Sequence, residues 1–168
     1  MDSTELLTDA IGRVRDVVHR AVDGLSEDDL AWRVDAEANS IAWLIWHLTR
    51  VQDDHVAQVA GTEQIWVKEG WAERFALPFP VEDHGYGHTS EQVAAVRAGA
   101  ELLTGYYDAV ERATLAFVAG LSDADLDRVV DRRWDPPVTL GVRLVSVVND
   151  DVAHGAQAAY VRGVLERR

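Results

Sequence analysis

The chain contains no cysteine among its 168 residues, which excludes disulfides, thiolate metal ligands and a cysteine nucleophile. Such a protein works equally well in a reducing compartment. Lysine is almost as scarce, with Lys68 alone beside 15 arginines, and 29 acids leave a net charge of −13. A chain of that charge, with no basic stripe, repels phosphate backbones, so nucleic acid is excluded as a partner. Long apolar runs are missing too. The densest, Ile41 to Trp46, falls far short of the roughly 20 residues that a membrane span needs. The opening residues Met1-Asp2-Ser3-Thr4-Glu5 lack the positive start of a secretory leader or transit peptide. The expectation is a cytoplasmic protein with no membrane partner. Glycine-rich phosphate loops, nucleophile elbows and dinucleotide fingerprints are absent. The preference for Arg over Lys, with abundant Ala, Val, Asp and Gly, is that of a GC-rich, actinobacterial type of genome.

What the chain does have is helical pattern. Apolar residues make up 48% and charged residues 27%, ordinary values for a globular protein, and the length predicts one domain over residues 1–168. A first helix is predicted from about Thr4 to Val22, with Leu6, Leu7, Ala10, Ile11, Val14, Val17 and Val18 on one face. A second starts after Asn39 or Ser40 and stops at Ala60 before Gly61. A third opens at Thr89, where Thr89 and Gln92 have capping-box spacing, and runs towards Ala119. Gly99 and Gly105 are its weak points, each costing about 1 kcal/mol relative to Ala. A fourth follows Pro136-Pro137, is capped by Thr139 and reaches Glu166. No β-alternating segment of useful length appears, so the fold is read as all-α, a four-helix bundle.

The connections add to that reading. Gly24-Leu25-Ser26-Glu27-Asp28-Asp29-Leu30 and Gly120-Leu121-Ser122-Asp123-Ala124-Asp125-Leu126 both read as a break followed by a Ser-capped turn of helix. Val51-Gln52-Asp53-Asp54 likewise resembles Val148-Asn149-Asp150-Asp151. Two helical hairpins related by a pseudo-two-fold internal repeat account for both likenesses. The connection between the second and third helices, residues 61–88, is long for a compact domain. Its Trp66, Trp71, Phe75, Phe79 and Tyr86 predict that it packs against the bundle as a crossover.

His47 lies in Trp43-Leu44-Ile45-Trp46-His47-Leu48, the most apolar stretch of the chain. Desolvation there favours neutral imidazole, the form that binds metal. Asp150 and His154 are four residues apart and share one face of the fourth helix. Two ligands at that spacing joined by one from a facing helix make a metal site in a bundle, with positions left open for water or substrate. From spacing alone two bland readings stand beside this one: His47 as a satisfied core histidine, and Asp150 with His154 as a local surface pair. Asp151 keeps one face with His154 as well, Asp54 lies two turns beyond His47 as a further ligand or a residue orienting one, and His55 is a lesser rival. Trp43 and Trp46 flank His47 as candidate pocket walls. Glu82-Asp83-His84-Gly85-Tyr86-Gly87-His88 is either a lid, a second metal site or, the preferred reading, a solvated turn. His19 is read as a surface residue without a partner. Trp32, Trp66, Trp71 and Trp134 are read as seals at the bundle ends.

The stretch Ile41–Leu48 resembles the second-helix motif of the DinB-like superfamily, in which an apolar helix delivers a histidine to a metal. Asp150-Asp151-Val152-Ala153-His154-Gly155-Ala156-Gln157 is similar to that family's fourth-helix motif, closest to the mycothiol-dependent maleylpyruvate isomerase-like branch, where the ligand set is His, Glu and His. The resemblance covers nearly the whole length. It implies His47, Asp150 and His154 as metal ligands, with Asp150 in place of the longer glutamate. It further implies a divalent metal cofactor, zinc or alternatively nickel, and a low-molecular-weight thiol, mycothiol, as co-substrate of an S-transferase or isomerase. The lack of cysteine suits an enzyme that borrows its thiol. Alternatives are a metal-dependent hydrolase acting without thiol, and a non-catalytic scaffold or stress-related binding protein. The expected partners are a small-molecule substrate and a second copy in a homodimer.

Overall fold

A computed structural model describes all 168 residues. Helix α1 spans Ser3–Val22 and is closed at its start by a reciprocal cap: Asp2 accepts from the Glu5 amide at 2.8 Å, and Glu5 accepts from the Asp2 amide at 3.0 Å. A short α2, Glu27–Ala31, follows the Ser26 cap. Helix α3, Ile41–Ala60, starts at Ser40, whose hydroxyl accepts from the Trp43 amide, and ends at Gly61, which takes a left-handed φ of 69°. Short helices α4 (Ile65–Lys68), α5 (Trp71–Phe75) and α6 (Ser90–Ala95) precede the long α7, Ala100–Val118. A 3-10 turn (Asp123–Asp127) and a small antiparallel pair, β1 (Val129–Asp131) with β2 (Val138–Thr139), lead into α8, Leu140–Leu165.

The four long helices stand where capping and periodicity predict them, with two differences. The third predicted helix is divided, because α6 ends at Ala95, the chain extends at Val96, and Gly99 caps a new start. Gly105, the other suspected weak point, stays helical. A Cβ there would lie 2.9 Å from the Trp71 ring, so the missing side chain lets α5 pack against α7. The second difference is the hairpin β1–β2, too short to show alternation in the sequence. The fold is mostly helical.

Packing runs between the helix pairs rather than within them. Helix α3 packs on α7 and α8, and α1 on the same two, while α1 meets α3 only weakly. Every residue from Ile41 to Arg50 is buried, as expected of a helix that is apolar all round. The segment of residues 61–99 covers the side of α3 that the long helices leave open. Trp66, Trp71 and Phe75 join the main core with Trp43, Trp46, Tyr106 and Tyr107. Tyr86 does not, being 87% exposed, and Trp134 stands out at 66%. Both were expected to pack, yet each lies in a connection between helices with its side chain turned to solvent. His19, read as unpartnered, meets Asp108 of α7 at 2.7 Å.

Burying α3 on all sides also buries its polar residues. Arg50 has no exposure. Its guanidinium donates to the carbonyls of Asp83 (3.2 Å) and Val81 (3.4 Å), to Gln64 Oε1 (2.8 Å) and to the Tyr106 hydroxyl (3.4 Å). Asp53, 3.9 Å away, accepts from the Ile65 and Trp66 amides and from Tyr106. Burial pushes its carboxyl up, and these donors together with Arg50 pull it back.

Replacing Arg50 by Met leaves Asp53 charged without its counterion and frees the loop carbonyls. Urea unfolding should show a loss of about 3–5 kcal/mol. Arg13→Ala, which breaks only an exposed pair with Asp9, should stay within about 1 kcal/mol. Equal losses in the two variants would contradict the structural role given to Arg50.

Candidate metal centre

Two helices meet at the centre of the α3–α8 interface. From α3 comes His47, only 6% exposed; from α8 come Asp150 and His154, half-buried and one turn apart. One ligand atom from each lies within 4.8 Å of the others. The His47 and His154 rings are 4.8 Å apart between centroids and nearly perpendicular, and His154 Nε2 is 3.6 Å from Asp150 Oδ1.

Each imidazole is oriented by its other nitrogen. His47 Nδ1 donates to the His84 carbonyl, and His154 Nδ1 donates to Gln157 Oε1 at 3.1 Å. Both Nε2 atoms therefore keep a free lone pair, the arrangement a metal-ligating histidine needs. Asp150 Oδ2 is buried and has no hydrogen-bond partner, an arrangement that costs free energy unless something binds it. Burial lowers the pKa of His47, against the opposing pull of the His84 carbonyl. Two imidazoles, each with Nε2 free, and one carboxylate with an orphaned oxygen are a donor set that fits a divalent cation.

The segment that holds His47 in place is the one read from the sequence as a solvated turn. Its Glu82, Tyr86 and Gly87 are exposed, but its other side lies against α3. Gly85 has a φ of +93°, and a Cβ there would meet His47 Nδ1 at 2.9 Å, Trp46 at 3.0 Å and Trp43 at 3.2 Å. The Gly85 amide donates to Asp83 Oδ1 at 2.8 Å. His88, with its side chain only 3% exposed, accepts from the Trp43 indole at 3.1 Å and donates to Asp83. Trp43 stacks on His47 at 4.5 Å between centroids, with their planes 13° apart. Trp46 packs instead on Trp66, Phe79 and His88.

The other sequence candidates lie outside this cluster. Asp54 accepts from Gln64 Nε2 at 2.8 Å. His55 accepts from Arg143 at 2.7 Å, and burial together with Arg143 lowers its pKa. Asp151 is 2% exposed, and burial, with Asp150 beside it, pushes its carboxyl well up. It is therefore turned into the core, while Asp150 lies with His47 and His154. Sequence reasoning missed the His84 carbonyl, Gly85 and Gln157 as orienting groups. The signals were the i, i+3 spacing of His154 and Gln157 on a helix and the glycine pair beside two histidines, since a backbone carbonyl leaves no trace in residue type.

The mycothiol-S-transferase family matches residues 6–167. Among solved structures, the crystal structure of a conserved protein from Enterococcus faecalis is similar at 30% identity with a TM-score of 0.93, covering 100% of this chain and 99% of that one. No curated protein matches the chain.

The crowding at Gly85 predicts that Gly85→Ala displaces the loop and the His47 ring. Metal affinity, read by competition with a chelator, should fall about 10–100-fold. Gly87→Ala is the control: its φ is +75°, yet a Cβ there meets nothing within 4 Å, so the backbone is strained and the affinity kept. The lowered pKa of His47 predicts that the metal-free ring titrates below 6.5 by NMR. The unfolded chain takes up that proton first. The stability held by neutral His47 is therefore complete above about pH 6.5 and declines as pH falls towards the folded value. A ring titrating above 6.5 would contradict the desolvated setting.

Proposed function

Because the chain belongs to the mycothiol-S-transferase family of DinB-like proteins, we propose that it is a metal-dependent enzyme that transfers a low-molecular-weight thiol, mycothiol, to a small electrophile. The observation that carries this reading is the convergence of His47 from α3 with Asp150 and His154 from α8, both imidazoles already anchored through Nδ1. These three residues would hold the metal, zinc by preference and nickel as the alternative. A divalent ion bound there supplies Lewis acidity, which lowers the pKa of a thiol so that thiolate is available at neutral pH.

The remaining work belongs to the chain. His84 and Gln157 fix the tautomers and orientations of the two imidazoles, sparing the site that ordering when a ligand arrives. Trp43 covers one face of His47 and keeps water from it. In the transfer a bond forms between sulfur and the electrophilic carbon, the leaving group departs with the bonding pair, and the thiol proton passes to solvent. With no cysteine in the protein, no internal thiol competes for the electrophile. We read the supporting scaffold as one domain, a four-helix bundle in which the α1–α3 and α7–α8 pairs are related by a pseudo-two-fold.

Elemental analysis of tag-free protein should find about one equivalent of divalent metal, absent from the His47→Ala/His154→Ala double variant. Conjugation of mycothiol to 1-chloro-2,4-dinitrobenzene should disappear with it. Turnover that needs no thiol would point to metal-dependent hydrolysis instead. A folded protein that binds no metal on titration would end the catalytic reading.

A further inference from the structure

Two cavities flank the triad along the α3–α8 groove, and they differ in chemistry. The helices run so that His47 faces His154, and His55, further along α3, meets Arg143, further back on α8. One cavity, about 540 Å³, is lined chiefly by Leu44, Ala153, Ala156, Tyr160 and Val161, with Gln157 at its edge. Leu44 lies three residues before His47, roughly 5 Å along the helix, and Gln157 bonds His154 directly. The triad itself does not line this cavity, but Leu44 and Gln157, which adjoin it, do, and its size and lining suit a largely apolar small molecule.

The other cavity, about 300 Å³, lies on the opposite side and is lined by His55, Asp131, Arg133, Trp134, Arg143 and Ser146. Ser146 precedes Asp150 by one turn, roughly 6 Å, and Arg143 precedes it by two turns on the same face. Asp131 accepts from Arg133 at 2.8 Å and from Arg143 at 3.3 Å, and Asp54 lies 3.8 Å from His55. Asp131 thus pairs with both guanidiniums that line the cavity, which offers many hydrogen bonds with part of the guanidinium charge left over. His55 accepts at Nδ1, which leaves its Nε2–H to donate, and Ser146 carries an exposed hydroxyl. The indole of Trp134, 66% exposed, adds a flat apolar face beside these polar groups. An aromatic face next to several fixed donors and acceptors is complementary to a ring bearing hydroxyls on its rim and C–H bonds on its face.

We infer that the two cavities divide the substrates: the polar one seats the hydroxyl-rich body of the thiol, and the apolar one seats the electrophile. Sulfur and acceptor carbon then meet at the His47–Asp150–His154 face between them. This assignment rests on the transferase reading and adds a direction to it. It also gives Trp134 and Arg143, which lie outside the triad, a role in choosing the thiol.

The test uses one substitution in each cavity, read by kinetics and by binding. Ala156→Trp, at an exposed position of α8, fills the apolar cavity. It should raise KM for 1-chloro-2,4-dinitrobenzene about tenfold or more, with KM for mycothiol unmoved. Trp134→Ala should raise KM for mycothiol about fivefold, with that for the electrophile unmoved. Equilibrium titration of metal-free protein supplies the second reading, with S-methyl mycothiol and 2-naphthol as unreactive probes and circular dichroism to verify folding. Ala156→Trp should weaken naphthol binding about tenfold or more, and Trp134→Ala should weaken binding of the S-methyl thioether about fivefold. Exchanged effects, or both substitutions acting on one probe, would overturn the assignment. A wild type that turns over no thiol with any metal would overturn the transferase reading alone, since the titrations still decide which cavity takes which probe.

Discussion

A guanidinium shut away from water must find its hydrogen bonds inside the protein, and the burial of Arg50 on α3 organises much of what surrounds the candidate metal centre. Its donors hold the carbonyls of Val81 and Asp83, and it shares Asp53 and Tyr106 with the start of α4 and the middle of α7. Leaving any of these groups unpaired in the core costs more than the order needed to pair them. The loop is therefore drawn against α3. Once it is there, the His84 carbonyl reaches His47, and the backbone at Gly85 lies against the rings of His47, Trp43 and Trp46. An interaction several residues away from His47 along α3 thus determines which nitrogen His47 presents.

The division of labour between helices and loop follows from stiffness. Helices α3 and α8 fix where His47, Asp150 and His154 start from, since a helix side chain can stray little from its face. The loop and Gln157 fix how the rings are turned. Neither alone gives a site with both Nε2 atoms free and directed inward. The Asp150 oxygen is one of several buried side-chain atoms left without a partner, and the one that belongs to the cluster with both imidazoles, where a bound cation would satisfy it. The same two helices, being long and antiparallel, extend the groove in both directions from the triad, which is why cavities of different character share one centre.

Much of this could be read from residue order. The caps at Ser40 and Thr139, the stop at Gly61 and the reciprocal Thr89–Gln92 pair bounded helices to within a residue, because these signals act over three or four residues. The i, i+4 spacing placed Asp150 and His154 on one face for the same local reason. Less legible were the break between α6 and α7 and the short hairpin before α8, both of which depend on what packs against them. The segment of residues 82–88, read as a solvated turn, is exposed at Glu82, Tyr86 and Gly87 but lies against α3 at His84, Gly85 and His88. Its composition is that of a turn, and only the surface of α3 makes it a structural support.

The sequence by itself determined a mostly helical chain without cysteine, the start and end of three of its four long helices, and the residue types able to hold a metal. These follow from backbone geometry and side-chain chemistry, which act over a few residues. Tertiary structure alone decided that Asp150, rather than Asp151, Asp54 or His55, joins His47 and His154, and that a carbonyl 37 residues away orients His47. Neighbouring carboxylates on one helix differ by about 100° of rotation. Which of them faces the site depends on how α3 and α8 settle against each other, and long-range packing sets that angle.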